Sequence, residues 1–179
     1  MYIKDKYISE VAPNLKTKLG LSNVMQTPKI EKVVLNMWIW TYIKTGNKDY
    51  SSLKQDLALI SGQQPVVRLA KKAVSNFKLR EGMPVGLSVT LRGDSMYAFL
   101  EKLVNIVLPR VKDFRWISKK SFDSEGNYNF WIKEHTIFPE VPQLDVVKPH
   151  GIQITIKTNT GDKESSRLLL EQLGFPFSK

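Results

Sequence analysis

Residues 68–92 read RLAKKAVSNFKLREGMPVGLSVTLR, and the alternation inside this stretch decides the fold. Its first thirteen residues carry Arg68, Lys71, Lys72, Lys78 and Arg80 and no acid. Glu81-Gly82-Met83-Pro84 has the composition of a turn. Beyond it Val85, Leu87, Val89 and Leu91 are apolar, while Gly86, Ser88, Thr90 and Arg92 are small, polar or charged. A period of two marks a strand with one buried face. Phe77 and Leu79 alternate with Asn76, Lys78 and Arg80 in the same way, which predicts a second strand joined to the first by the loop. One face then belongs to a core. The other carries hydroxyls, amides and cations, a chemistry suited to a phosphate backbone and exposed base edges.

Outward from this stretch the same two periods recur. Val33, Leu35 and Met37 alternate with Lys32, Val34 and Asn36, and Ile152, Ile154 and Ile156 alternate with Gln153, Thr155 and Lys157. Both segments are expected to be strands. A further short strand is expected within Phe130 to Phe138. Tyr7, Val11, Leu15 and Leu19 fall at helical spacing up to Gly20, with Pro13 either weakening the helix or splitting the segment. Helices are also expected from Ser51 or Ser52 to Ile60, from an Asp94 cap through Met96, Phe99, Leu100, Leu103 and Val107 to a stop at Pro109, and from Asp162 to Leu173. Residues 38–48 and 110–129 read as loops, the second long, basic and aromatic. Strands and helices mix without strict βαβ order. The fold class is therefore α+β rather than doubly wound.

Composition bounds the chemistry. A formal net charge of +10 and a pI near 9.7 point to a polyanionic partner, nucleic acid before an anionic membrane surface. No apolar run reaches the length of a membrane span, and the opening MYIKDKYISE carries no signal-peptide or transit-peptide character, so a cytoplasmic protein is expected. With no cysteine there is no thiolate metal site or cysteine nucleophile. His135 and His150 stand apart, without the i, i+3 or i, i+4 spacing of a helical ligand pair. Neither phosphate-binding glycine motif is present, and Asp123 and Glu125 sit in a turn, DSEGN, where solvated carboxylates are the rule. An enzyme, a small-molecule substrate, a cofactor and a metal are not expected. The expected activity is nucleic-acid binding through phosphates and exposed base edges.

Several stretches in order along the chain resemble the bacterial-type large-subunit ribosomal protein L5 family: PKIEKVVLNM (28–37), LALISGQQPVV (57–67), AKKAVSNFKLREGMPVGLSVTLRG (70–93), LPRVKDFR (108–115), KSFDSEGNYN (120–129), IFPE (137–140) and LLLEQLGFPF (168–177). The resemblance implies one domain over residues 1–179, with an N-terminal half of about 24–80 and a C-terminal half of about 84–177. It implies a mainly antiparallel sheet with helices packed on one face and RNA on the other, in a structural constituent of the large subunit that binds 5S rRNA in the central protuberance, with 23S rRNA and other proteins of that protuberance as neighbours. The alternative is a free-standing RNA-binding regulatory protein. Asn36, Gln63 and Thr90 carry over as RNA contacts. Ser88 and Arg92 join them on the same expected face, as do Arg68, Lys71, Lys72 and Asn76 from the basic stretch. Lys78, Arg80 and the turn Glu81, Gly82, Met83 and Pro84 carry over as lying near P-site tRNA. Arg110, Lys112, Arg115, Lys119 and Lys120 fall in a loop matching the subunit interface, an intersubunit bridge with small-subunit protein S13.

One departure from the family pattern is systematic. Trp38 and Trp40 stand where the pattern reads asparagine-methionine-glycine-x-glycine, Trp116 where phenylalanine-arginine-glycine is expected, and Trp131 at another glycine position. These are all four tryptophans of the chain. The resemblance implies a gene whose UGA codons mean glycine. The rival reading is four genuine indoles that stack on RNA bases. No tryptophan is taken as a site residue.

Overall fold

The computed structural model describes residues 2–44, 50–111, 118, 121–142 and 149–177. Five strands form one sheet: β1 (Ile30–Trp38), β2 (Val66–Leu69), β3 (Pro84–Leu91), β4 (Tyr128–Ile132) and β5 (Ile152–Thr158), in the order β2-β3-β1-β5-β4. β2 and β3 pair antiparallel. The other neighbours run the same way. Ile39 N–H donates to Val85 O beside the end of β1 and the start of β3, and Asn159 N–H donates to Lys29 O where β5 ends and β1 begins. With its seven helices among the described residues, α1 to α7 below, the chain is α+β as the alternation predicted.

The chain divides into two compact units. The first comprises residues 1–34, 91–130 and 154–179; the second comprises 35–90 and 131–153. In the first unit, α1 (Tyr2–Lys6) passes through a π turn (Tyr7–Val11) into α2 (Ala12–Lys18). Pro13 therefore does not split the helix. It cannot donate to the carbonyl of Ser9, and the wider turn, with Ala12 N–H bonded to Tyr7 O, absorbs the missing bond and the ring. The same device recurs at Pro109. A π turn (Leu103–Val107), with Leu108 N–H bonded to Leu103 O, carries α5 (Gly93–Lys102) into α6 (Leu108–Arg110), so Pro109 lies inside the helix it was expected to stop. Asp94 is not the cap either. Arg92 holds that position, and the Asp94 carboxylate lies in the first turn, where Lys4 Nζ donates to it at 2.7 Å. α7 (Lys163–Leu173) starts as expected, its Asp162 cap accepting from the Glu164 and Ser165 N–H groups. Leu15, Val33, Leu100, Ile154 and Leu169 are fully buried in this unit.

In the second unit, α3 (Trp40–Lys44) occupies part of the segment expected to be loop, and residues 45–49 lie outside the described ones. α4 (Ser51–Ser61) buries Leu53, Leu57 and Ile60, the face its spacing predicts. Leu35, Met37, Leu87 and Val89 supply the buried face of β1 and β3. The two histidines, 15 residues apart, meet here. His150 N–H donates to His135 Nδ1 at 2.9 Å, and His135 N–H donates to His150 O at 2.9 Å. The proton of the neutral ring therefore sits on Nε2, which faces Asp56 Oδ2 of α4 at 3.3 Å. Burial holds the His135 imidazole below its usual pKa. This is a structural clamp between α4 and the 150 backbone.

Candidate RNA interface

The second unit holds most of the expected contacts, and the partner strand of β3 is the first surprise. It is β2, Val66–Leu69, not the alternating residues 76–80. The register pairs Val66 with Ser88, Val67 with Leu87 and Arg68 with Gly86, then slips between Arg68 and Leu69. β2 is an edge strand, and Val66, Arg68 and Leu69 are exposed. Directly opposed residues share a face. Arg68 therefore lies on the face of Gly86, Ser88 and Thr90, away from the core side of Leu87 and Val89. Thr90 and Asn36 are half-buried on their strands. Ser88, expected to meet RNA, is 5% exposed, so its position on the sheet is as predicted but its hydroxyl does not reach the surface.

Between β2 and β3 the chain makes an excursion pinned twice. At its neck, Ala70 N–H donates to Met83 O at 2.8 Å and Gly82 N–H to Ala70 O at 3.0 Å. At its tip, Val74 and Leu79 form an antiparallel bridge, with Val74 N–H to Leu79 O at 2.9 Å and Leu79 N–H to Val74 O at 3.1 Å. Ser75–Phe77 make one 3-10 turn, and Lys78 closes it in the left-handed region at φ 53. Residues 70–83 are thus a finger with its own hydrogen bonds. Lys71, Lys72, Asn76, Lys78, Arg80, Glu81 and Gly82 are exposed along it, and Met83 and Pro84 are half-buried at its base. Among the described residues, no carboxylate forms an ion pair with Arg68 or with the finger's cations. Phe77, expected to face a core, is 61% exposed. The alternation at 76–80 comes from a turn and a bridge, and no strand buries that side.

Gln63 stands at the end of α4. Gly62 takes φ +67 and caps the helix with its N–H on Ala58 O at 2.8 Å, and Gln63 N–H donates to Ser61 Oγ at 3.3 Å. An open cleft of about 560 Å³ there is lined by Gln55, Ala58, Leu59, Gly62, Gln63 and Gln64. In the first unit, Arg92 and Arg110 are both exposed, at the start of α5 and the end of α6. Lys112, Arg115, Lys119 and Lys120 lie outside the described residues. Among the described residues, no group of three or more potential metal ligands comes together.

Trp38 and Trp131 are 53% and 55% exposed and line one cleft of about 380 Å³ with Thr41, Tyr42, Pro149, His150 and Gly151. The Trp131 ring lies over Gly151, where an added Cβ would collide with the indole. Trp40 is buried, and Trp116 lies outside the described residues. None of the three described tryptophans has a positive φ. The backbone therefore accepts either residue at these positions, and the decision rests on mass. If UGA is read as glycine, the native protein is lighter than this sequence by the difference between four indolylmethyl groups and four hydrogens. An intact mass spectrum that includes all four indoles ends that reading.

Comparison with known proteins finds similarity over almost the full chain. The chain is similar to the large ribosomal subunit protein uL5 of Brevibacillus brevis, with 47% identity over 177 residues, covering 99% of this chain and 98% of the relative. It is also similar to the large ribosomal subunit protein uL5 of Pediococcus pentosaceus, with 48% identity and the same coverage. The family model for ribosomal protein L5 matches residues 23–80, and the model for the C-terminus of the same ribosomal family matches residues 84–177. With two matched segments covering most of its length, on either side of residues 81–83, this chain belongs to the ribosomal protein L5 family.

Proposed function

We propose that this ribosomal protein is a structural, non-catalytic constituent of the large subunit that binds 5S rRNA. The carrying observation is the doubly pinned finger, exposed and free of acids from Arg68 to Arg80. A loop that holds its own shape loses little conformational freedom on binding, and fixed cations can meet a phosphate backbone in one register. Arg68, Lys71 and Lys72 serve phosphates. Asn36, Gln63, Asn76 and Thr90 offer amides and a hydroxyl to sugar and base edges. Lys78, Arg80 and the 81–84 turn lie toward tRNA in the P site. Arg92 adds a further rRNA contact, and Arg110 marks the side facing small-subunit protein S13. 23S rRNA and other central-protuberance proteins complete the surroundings, in a cytoplasmic ribosome.

The test is binding of the full chain to 5S rRNA and to a length-matched control RNA across a salt series. Selective binding to 5S rRNA that survives at salt where the control has dissociated is the expected result, with a slope of roughly 0.7 to 0.9 per neutralised phosphate. Equal binding to both RNAs, lost together as salt rises, would reduce the protein to a diffuse polycation and sink the proposal.

A further inference from the structure

We infer that Phe77 is a stacking platform for an unpaired RNA base, the one aromatic contact of the basic finger. The inference rests on the RNA-binding reading above and adds a residue that reading does not use. Phe77 is 61% exposed at the tip of a turn. A phenyl ring left largely in water forgoes most of the stabilisation its burial would bring, so its display at a shaped tip calls for a partner. The tip is shaped by more than chance packing. Phe77 N–H donates to Val74 O at 3.2 Å, Lys78 N–H donates to Ser75 O at 2.9 Å, and the Val74–Leu79 bridge closes the turn. Lys78 follows at φ 53, a conformation that a residue with a side chain adopts only when the surroundings impose it. The strain falls next to the displayed ring, where such strain marks preorganisation.

The neighbours say what kind of partner fits. Asn76 and Lys78 flank the ring, Lys71, Lys72 and Arg80 share the finger, and no acid occurs between Arg68 and Arg80. An apolar protein surface would gain nothing from so many unpaired cations, whereas a splayed nucleotide presents a π face for the ring and a phosphate for the cations. Every base has such a face, so the contact tolerates any base and favours RNA that is single-stranded at that point.

The experiment uses the full chain, with deacylated tRNA and 5S rRNA as separate probes. Phe77→Ala should weaken binding to the RNA that the fingertip meets by roughly five- to 150-fold, with the salt slope unchanged. Phe77→Tyr keeps the ring and should stay within about twofold of wild type, while Phe77→Leu keeps apolar bulk without a π face and should behave like alanine. A second variant, Lys78→Gln with Arg80→Gln, should lower the salt slope instead. If Phe77→Ala binds both RNAs like wild type while the Lys78/Arg80 variant weakens, the stacking role is overturned and the RNA interface stands. If Phe77→Leu binds as well as phenylalanine, the contact is merely apolar and the stacking role is again overturned. If the wild-type chain fails to distinguish either RNA from the control, the RNA reading falls and takes this inference with it.

Discussion

Gly126→Ala will cost this protein about 2–5 kcal/mol of stability, read as a fall in the urea midpoint at constant slope. Two effects act together. Gly126 has φ +72, where a β-carbon strains the backbone by roughly 1–2 kcal/mol. The new methyl would also fall 2.8 Å from Ser166 Oγ and from the Thr160 carbonyl oxygen, and 2.9 Å from the Asp162 carbonyl oxygen. Two of these three atoms are backbone, so they cannot swing aside, and overpacking of this kind costs roughly 1–3 kcal/mol. The site is tight because a hydroxyl cluster closes over it. Thr158 Oγ1 lies 2.9 Å from Ser166 Oγ and donates to Gly126 O at 3.2 Å, while Thr160 Oγ1 lies 2.8 Å from the same Ser166 hydroxyl. Ser166 is fully buried and Thr158 is 2% exposed, so a displaced partner leaves a polar group without water. Gly161→Ala is the control. Its φ is ordinary and no heavy atom lies within 4 Å of the added carbon, so it should shift stability by no more than about 0.5 kcal/mol. A Gly126→Ala variant as stable as the Gly161→Ala control would show that the cluster yields.

That glycine also shows where sequence reading stops. The DSEGN turn was legible, and Asp123 Oδ1 does accept from the Glu125 and Asn127 N–H groups as a turn aspartate should. Its tertiary partner at Ser166, forty residues on, carries no local signal. The central strands were legible because burial on one side imposes a period of two. Leu35, Leu87, Ile154 and Ile156 are at most 1% exposed, each at a position where the alternation put it. β2 was not legible. An edge strand of four residues, with Val66 and Val67 adjacent and most of it in water, has no alternation to show. Residues 76–80 had the alternation without the hydrogen-bond ladder, since a 3-10 turn and one bridge gave the same pattern by coincidence. The prolines misled for a different reason. Pro13 and Pro109 have the same local effect in any helix, but a π turn before each absorbs it, and such a turn leaves no composition cue. In the candidate interface the cations were legible by type and by the absence of acids. Exposure was not: Ser88 looked like a surface hydroxyl and is buried, whereas Phe77 looked like core and stands in water. Histidines 15 residues apart met for a similar reason, since only strand pairing brings His135 and His150 together.

Replacing Arg68, Lys71, Lys72, Lys78 and Arg80 together with glutamine should have the largest effect on function. Each exposed cation that meets a phosphate contributes about 0.7 to the salt slope on single-stranded RNA, so losing Arg68, Lys71 and Lys72 lowers the slope on 5S rRNA by about 2.1 and the affinity at physiological salt by roughly fiftyfold, while the loss of Lys78 and Arg80 reads on tRNA. All five side chains lie at exposed positions, so the fold should hold to within about 0.5 kcal/mol per site. A weakened variant will therefore report on binding rather than unfolding, which a matched urea curve verifies. Charge alone could still mimic the result, because the chain carries a formal +10. The comparison that separates them changes five other exposed lysines, Lys18, Lys29, Lys44, Lys133 and Lys163, to glutamine, lowering the net charge by the same amount. If the finger and Arg68 hold the RNA, the first set abolishes selective 5S rRNA binding and flattens the slope. The second set then loses only the long-range attraction that screening already weakens at about 0.15 M salt. Equal losses would mean that the whole surface binds and that the pinned geometry of residues 70–83 contributes nothing beyond its charge. The geometry argues for the first outcome. A polycation that binds by charge alone has no use for two sets of hydrogen bonds that fix the backbone carrying its lysines, or for a left-handed lysine at the tip.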